Sequence, residues 1–273
     1  MKSTSRKIVA IGGGENGRIT SNGIKKPYEL RNIDSEIIRL TGKKTPHFLF
    51  LGHGQNEVEL EERYFSTMKA IYGDIFGCEC KTIKKSDLKA SASDVQSLIN
   101  WADIIYEGGG DTQGMIALWQ HTGFDKMLEN AWMQGKVICG ISAGANCWFK
   151  SCSSAALKMK LKDPTAPMIN VECLNFINAF FTPHCNIADE HINRLQHMKE
   201  SLKNTDMVGI ALSNCCAIEI IDDQYRLITD DASNYGIEAY GLKAYWDKDQ
   251  YFEKRIDVSD SFASLESLFG RTL

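Results

Sequence analysis

Val137-Ile138-Cys139-Gly140-Ile141-Ser142-Ala143-Gly144-Ala145-Asn146 reads as an apolar strand, a tight turn and the start of a helix. Gly140-x-Ser142-x-Gly144 has the spacing of a nucleophile elbow. Such a turn is strained and crowded, and side chains beside the serine would strike the neighbouring strand and helix. The serine Oγ is then exposed above the sheet, with the following N–H free to meet an oxyanion. A plain glycine-rich strand-to-helix turn could carry the same residues. The β-run before it and the helical Ala145-Asn146-Cys147-Trp148-Phe149 after it favour the elbow.

Working outward, short β-rich runs alternate with longer amphipathic ones. The pattern predicts strands over 7–11, 48–51, 78–83, 103–106 and 137–140. Helices are predicted over 34–40, 58–72, 92–102 and 112–134, the last broken at Gly123. The stretch 58–72 repeats apolar residues at Leu60, Tyr64, Phe65, Met68 and Ile71, a helical spacing. Strands alternating with helices imply βαβ units, a largely parallel sheet and helices on both faces. After Ser142 the rhythm changes. Residues 157–162 alternate apolar and basic, which predicts a half-exposed strand. Ala217–Ile221 and Tyr225–Thr229 flank Asp222-Asp223-Gln224 as a hairpin, and 236–245 reads as a further strand. The carboxyl third therefore adds antiparallel pieces to one domain spanning 1–273.

Composition limits the function. With 273 residues, 43% hydrophobic and 24% charged, the chain is of ordinary globular type and long enough for a substantial core. A formal net charge of −4 supplies no general attraction to nucleic acid or anionic membrane. The amino terminus lacks the apolar region of a signal peptide, and no stretch has the length of a membrane helix. The nine cysteines form no CxxC pair, and several sit in apolar runs, as in Val137-Ile138-Cys139-Gly140. A cytoplasmic protein is expected.

Two other glycine runs border strands. Gly12-Gly13-Gly14-Glu15-Asn16-Gly17 fits G-x-G-x-x-G. The residues that follow are polar and interrupted by Gly23 and Pro27, with no helical period to present a dinucleotide-binding N-terminus. A strand-end loop beside a cleft is the better reading. Gly108-Gly109-Gly110-Asp111-Thr112 follows a strand and precedes a helix, which suits both a capped helix start and an anion-binding turn. Of six histidines, His184 stands out because it follows the apolar run Ala179-Phe180-Phe181 and Thr182-Pro183. It thus sits where a buried strand emerges, the place where parallel sheets present functional groups. His121 reads as structural, and His191 and His197 as solvated. His47 and His53 flank a strand without an assigned role. No H-E-x-x-H zinc motif occurs.

At these residues the sequence resembles the peptidase E family, serine peptidases that include aspartyl dipeptidase and are related to cyanophycinase. The likeness runs from the first strand to about His184. It is carried by Ile8–Gly14, Ala102–Thr112, Gly140–Phe149 and Thr182-Pro183-His184, in that order. It implies a flavodoxin-like sheet akin to class I glutamine amidotransferases. Ser142 is then the nucleophile and His184 the general base. The N–H groups of Ala143 and of a glycine in Gly108–Gly110, chiefly Gly109, would bind the oxyanion. No metal or organic cofactor is implied. Small peptides, aspartyl dipeptides among them, would be the substrates, and a homodimer stays open. An acidic substrate would need a basic group, for which Lys150, Lys158, Lys160 and Arg18 are candidates.

Two positions depart from the family pattern. Asp111 stands where asparagine is usual, and a carboxylate beside an oxyanion site would oppose the developing charge unless it caps the helix. The family's acid belongs near Ala155-Ala156-Leu157, where this chain has no carboxylate. Asp163 is taken as third triad member. Glu172, Asp189 and Glu190 are alternatives, and Ser154 or a water could hold the imidazole instead. A non-catalytic relative that kept the elbow and lost the triad remains the alternative function. A class I amidotransferase fits poorly, since Ser142 replaces its cysteine and His184-Cys185-Asn186 lacks its glutamate. A nucleotide-binding protein using Gly12–Gly17 fits no better.

Overall fold

The computed structural model describes residues 4–20, 22–189 and 192–271. Its strands are, in order, Lys7–Ile11 (β1), His47–Phe50 (β2), Glu79–Thr82 (β3), Ile104–Glu107 (β4), Val137–Ile141 (β5), Phe149–Ser154 (β6), Ile169–Glu172 (β7) and Ile177–Thr182 (β8). Ala188–Asp189 (β9) and Ile192–Asn193 (β10) make a short ladder of their own. Gly209–Leu212 (β11), Cys216–Ile221 (β12), Gln224–Thr229 (β13), Gly241–Asp247 (β14), Gln250–Ile256 (β15) and Ala263–Ser264 (β16) complete the set.

These strands form two main sheets where a single one was expected. The larger runs β16-β13-β12-β1-β5-β4-β2-β3, and the smaller β15-β14-β11-β8-β6-β7. In the larger sheet β1, β5, β4, β2 and β3 are mutually parallel, while β12, β13 and β16 extend it antiparallel. Counted from β2, the strands β2 to β5 follow the start of the flavodoxin order, and β1 holds the fifth place. In the smaller sheet β11, β8 and β6 are parallel and the flanking strands antiparallel.

The parallel strands are apolar on both faces because both are covered. Ile8, Leu49, Ile105 and Ile138 face a core shared with Ala179, Phe181, Ile210 and Leu212 of the smaller sheet and with Trp119, Phe124 and Leu128 of the helices. Val9, Phe48, Phe50, Ile104 and Cys139 face the other way, onto Ile33, Ile37, Met68 and Tyr72. One core thus joins the two sheets, which brings the carboxyl ends of β5, β8 and β11 to a common cleft.

The predicted helical stretches form, with the break where Gly123 takes φ 74° between Thr112–Thr122 and Phe124–Met133. The hairpin over β12 and β13 also forms, turning at Asp222 with φ 51°. The stretch 157–162 is different. Ala156–Leu161 is a helix in which only Ala156 is buried. Alanine, leucine, lysine and methionine are good helix formers, and Ser154 Oγ accepts the Ala156 N–H at 3.2 Å to start the turn. No helix among the described residues is long and apolar enough to cross a membrane.

Candidate active site

Three strand ends supply the centre. Beyond β5, Ser142 takes φ 57° and ψ −114°, a strained conformation for a residue with a Cβ. Gly140 and Gly144 make the turn possible. A Cβ on Gly144 would lie 2.2 Å from the Glu107 carbonyl oxygen, and one on Gly140 would lie 2.5 Å from the Gly144 carbonyl oxygen. Beyond β8, His184 takes φ 53°, and beyond β11 come Ser213, Asn214 and Cys215.

The three meet in a line. The Ser142 hydroxyl and His184 Nε2 are 2.9 Å apart. On the other side of the ring, Nδ1–H donates to Asn214 Oδ1 at 2.5 Å. That bond holds the tautomer in which Nε2 carries a lone pair toward Ser142. Asn214 is 2% exposed, and its own N–H donates to Asn186 Oδ1 at 2.8 Å. Burial, and then the Arg194 charge, lower the His184 pKa to about 4, against the Asn214 bond, which raises it.

Gly12-Gly13-Gly14 is the floor of this arrangement. The Gly12 carbonyl accepts the His184 N–H at 3.0 Å, and the Gly13 carbonyl accepts the Cys215 N–H at 2.9 Å. A Cβ on Gly13 would sit 2.1 Å from Asn214 Oδ1 and 2.2 Å from His184 Nδ1. No helix follows directly. Bridges Asn16↔Tyr28 and Ile19↔Lys25 instead form an arm beside the cleft. Gly13→Ala is expected to lower kcat by at least ~100-fold by displacing the imidazole about an ångström, with the fold retained by circular dichroism.

The structure sets Asn214, and not Asp163, against Nδ1 of His184. Because 157–162 is helical, Asp163 follows a helix, and its Oδ1 accepts the Thr165 N–H at 2.8 Å and the Thr165 hydroxyl at 2.7 Å. Glu172 ends edge strand β7 with its side chain exposed. Asp189 lies in β9, and Glu190 is outside the described residues. Ser154 Oγ serves the helix start and does not hold the imidazole. Asn214 was missed because an acid was sought and it is an amide. Its signal was present nonetheless: like His184, it stands two residues beyond the end of a short, largely apolar strand.

Gly109 lies against Ser142, where a Cβ on it would be 3.5 Å from the Ser142 Cβ. Its N–H donates to Tyr64 Oη at 3.3 Å. The Ala143 N–H is the first of the helix Ala143–Asn146 and has no acceptor within that helix. Asp111 caps the helix that begins at Thr112, its Oδ1 accepting the Gly114 N–H at 3.0 Å.

Two of the remaining histidines, His53 and His47, are held in structural contacts. Buried His53 donates Nε2–H to the Ile83 carbonyl and accepts the Trp119 indole N–H, both at 2.8 Å. His47 stacks on Trp101 with centroids 4.4 Å apart. His121 ends a helix in an exposed position. His197 is half-buried rather than solvated, with Nδ1 2.8 Å from Ser153 Oγ. His191 lies outside the described residues.

The centre opens into a cleft of about 850 Å³. Arg18, Arg63 and Arg194 line it, together with Glu15. Arg18 grips Glu15 through two bonds of 2.9 and 3.2 Å. Of the four bases expected from sequence, only Arg18 lines the cleft. Lys158 reaches the Pro164 carbonyl, Lys160 reaches Gln113, and Lys150 is not among the lining residues. Among the described residues no group of three or more His, Cys, Asp or Glu is arranged to hold a metal.

A serine and an imidazole 2.9 Å apart at strand ends, beside a cleft, are what a hydrolytic enzyme presents. The chain belongs to peptidase family S51, whose model matches residues 18–228, and it is a peptidase. It is 28% identical over 240 residues to the uncharacterized peptidase YgaJ of Bacillus subtilis (strain 168), covering 86% of this chain and 91% of that one. In fold it resembles a peptidase from an acI-B1 Actinobacterium (TM-score 0.66, 18% identity, 96% of this chain and 98% of that one). It also resembles a candidate peptidase E protein from Listeria monocytogenes EGD-e (TM-score 0.57, 16% identity, 82% and 98%). Membership of the family supports a serine peptidase.

Proposed function

We propose that this peptidase hydrolyses short acidic peptides, aspartyl dipeptides among them, through a Ser142–His184–Asn214 triad. Ser142 Oγ attacks the scissile carbonyl as His184 Nε2 takes its proton. Asn214 keeps the imidazole in the productive tautomer, as asparagine does in the Cys-His-Asn peptidases. The Ala143 N–H and an N–H of the Gly108–Gly110 loop stabilise the tetrahedral oxyanion, each donor worth about 3 kcal/mol in such sites. His184 then returns the proton to the leaving amine, and water, deprotonated by the same nitrogen, releases the acyl group from Ser142. The reading takes the enzyme to be cytoplasmic and cofactor-independent, one domain on a flavodoxin-like, amidotransferase-like core.

The observation that carries this reading is the 2.9 Å approach of His184 Nε2 to a serine held at an elbow. Acidic substrates are favoured by Arg18, Arg63 and Arg194, which line the cleft together with Glu15. The test is hydrolysis of a panel of Asp-X, Glu-X, isoaspartyl and neutral dipeptides by the wild type and by Arg194→Met. Wild-type cleavage should favour acidic members. Arg194→Met should raise their KM by ~10-fold or more and leave neutral members unchanged. Equal cleavage of neutral and acidic members would remove the acidic assignment. A non-catalytic relative is the second reading, favoured by the amide at the third position. Absence of any Ser142-dependent cleavage across the panel would put it first.

A further inference from the structure

The loop Gly52-His53-Gly54-Gln55, at the end of β2, braces the Gly108–Gly110 loop at three points. Gly54 N–H donates to the buried Glu107 carboxyl at 3.2 Å, and the Gly54 carbonyl accepts the Asp111 N–H at 2.8 Å. Gln55 Nε2 donates to the Gly109 carbonyl at 2.6 Å, and Gln55 itself lines the cleft. The fit is close: a Cβ on Gly110, where φ is +147°, would lie 2.1 Å from the Gly54 carbonyl oxygen. Gly54 and Gln55 therefore lie on the Gly109 carbonyl side of the 109–110 peptide, and Ser142 lies against Gly109.

A trans peptide points its N–H opposite its C=O. With the Gly109 carbonyl held by Gln55, the Gly110 N–H is turned away from Gln55. The Gly109 N–H is already donated to Tyr64 Oη. We infer that Gly110, rather than Gly109, supplies the loop's oxyanion donor, and that Gln55 is the positioning residue that aims it. This rests on the serine-peptidase reading and adds to it the residue that sets the oxyanion geometry.

The test compares wild type, Gln55→Met, which keeps the length without a donor, and Gln55→Glu, which sets an acceptor against the Gly109 carbonyl. The substrate is the best dipeptide of the panel, and the inhibitor is its peptide aldehyde, which forms a tetrahedral adduct on the serine. Both variants should lose about 10- to 100-fold in kcat with KM nearly unchanged. Aldehyde affinity should fall by the same factor, with the melting temperature retained. Wild-type kcat and aldehyde affinity in either folded variant overturn the assignment, as does a loss confined to KM. A wild type whose cleavage survives Ser142→Ala overturns the serine-peptidase reading itself, and this inference with it.

Discussion

Ser142→Ala is expected to lower kcat/KM on the cleaved dipeptide by about 10⁵- to 10⁶-fold, the scale seen when a triad nucleophile is removed. Background above the uncatalysed rate would persist, because the oxyanion donors and the cleft remain. The same position makes a second, independent prediction about stability. At φ 57° and ψ −114°, any side chain with a Cβ is strained by roughly 1–3 kcal/mol. Alanine keeps that strain and glycine relieves it. Ser142→Gly should therefore melt higher than Ser142→Ala while being equally inactive. Equal melting temperatures would mean that the elbow is not strained.

Asn214→Asp should move activity in the opposite direction. In the wild type the imidazolium formed during attack has only a neutral amide beside it. A carboxylate there would stabilise it. In a well-studied protease the aspartate-to-asparagine change costs about 10⁴ in turnover, but that loss includes a wrong tautomer. Here the amide already holds the right one, so the gain should be smaller, about 10- to 100-fold in kcat at neutral pH. The pH profile gives the sharper signature. His184 must be neutral to act, and its pKa is held down to about 4 by burial and by Arg194. Wild-type kcat/KM should therefore be level above that pH and fall only as pH drops through about 4. An adjacent carboxylate favours the charged imidazole and raises its pKa. The acid limb of Asn214→Asp should thus move upward, and the variant's advantage should shrink or reverse near pH 5. A limb that stays in place would show that residue 214 does not govern His184.

Much of this arrangement was legible in the sequence, for identifiable reasons. The strands of the parallel core announce themselves because they are apolar on both faces, as in Ile8-Val9-Ala10-Ile11 and Val137-Ile138-Cys139. Gly140-x-Ser142-x-Gly144 and Thr182-Pro183-His184 are local patterns whose geometry follows from the chain itself. The second sheet was less visible. Its parallel pairing of β6, β8 and β11 joins segments distant in sequence, and β6, Phe149–Ser154, carries three serines that do not read as a buried strand. The six-residue alternation at 157–162 misled because apolar-basic alternation over so short a stretch also fits one and a half turns of helix. Asp163 went with it. The role of Gly13 depends on contact with His184 and Asn214, so nothing local to Gly12–Gly17 could reveal it. Arg63 and Arg194 likewise reach the cleft only through the packing of the 58–69 and 194–202 helices.

The central claim is that His184 activates Ser142 for attack, and it can be tested without knowing the substrate. Intact protein is treated with a fluorophosphonate, and the adduct is located by peptide mass spectrometry in wild type and in His184→Ala. A single adduct on Ser142, formed at least ~100-fold more slowly in the variant, is the predicted result. No adduct, or one on another serine of the cleft such as Ser153 or Ser154, would contradict the account.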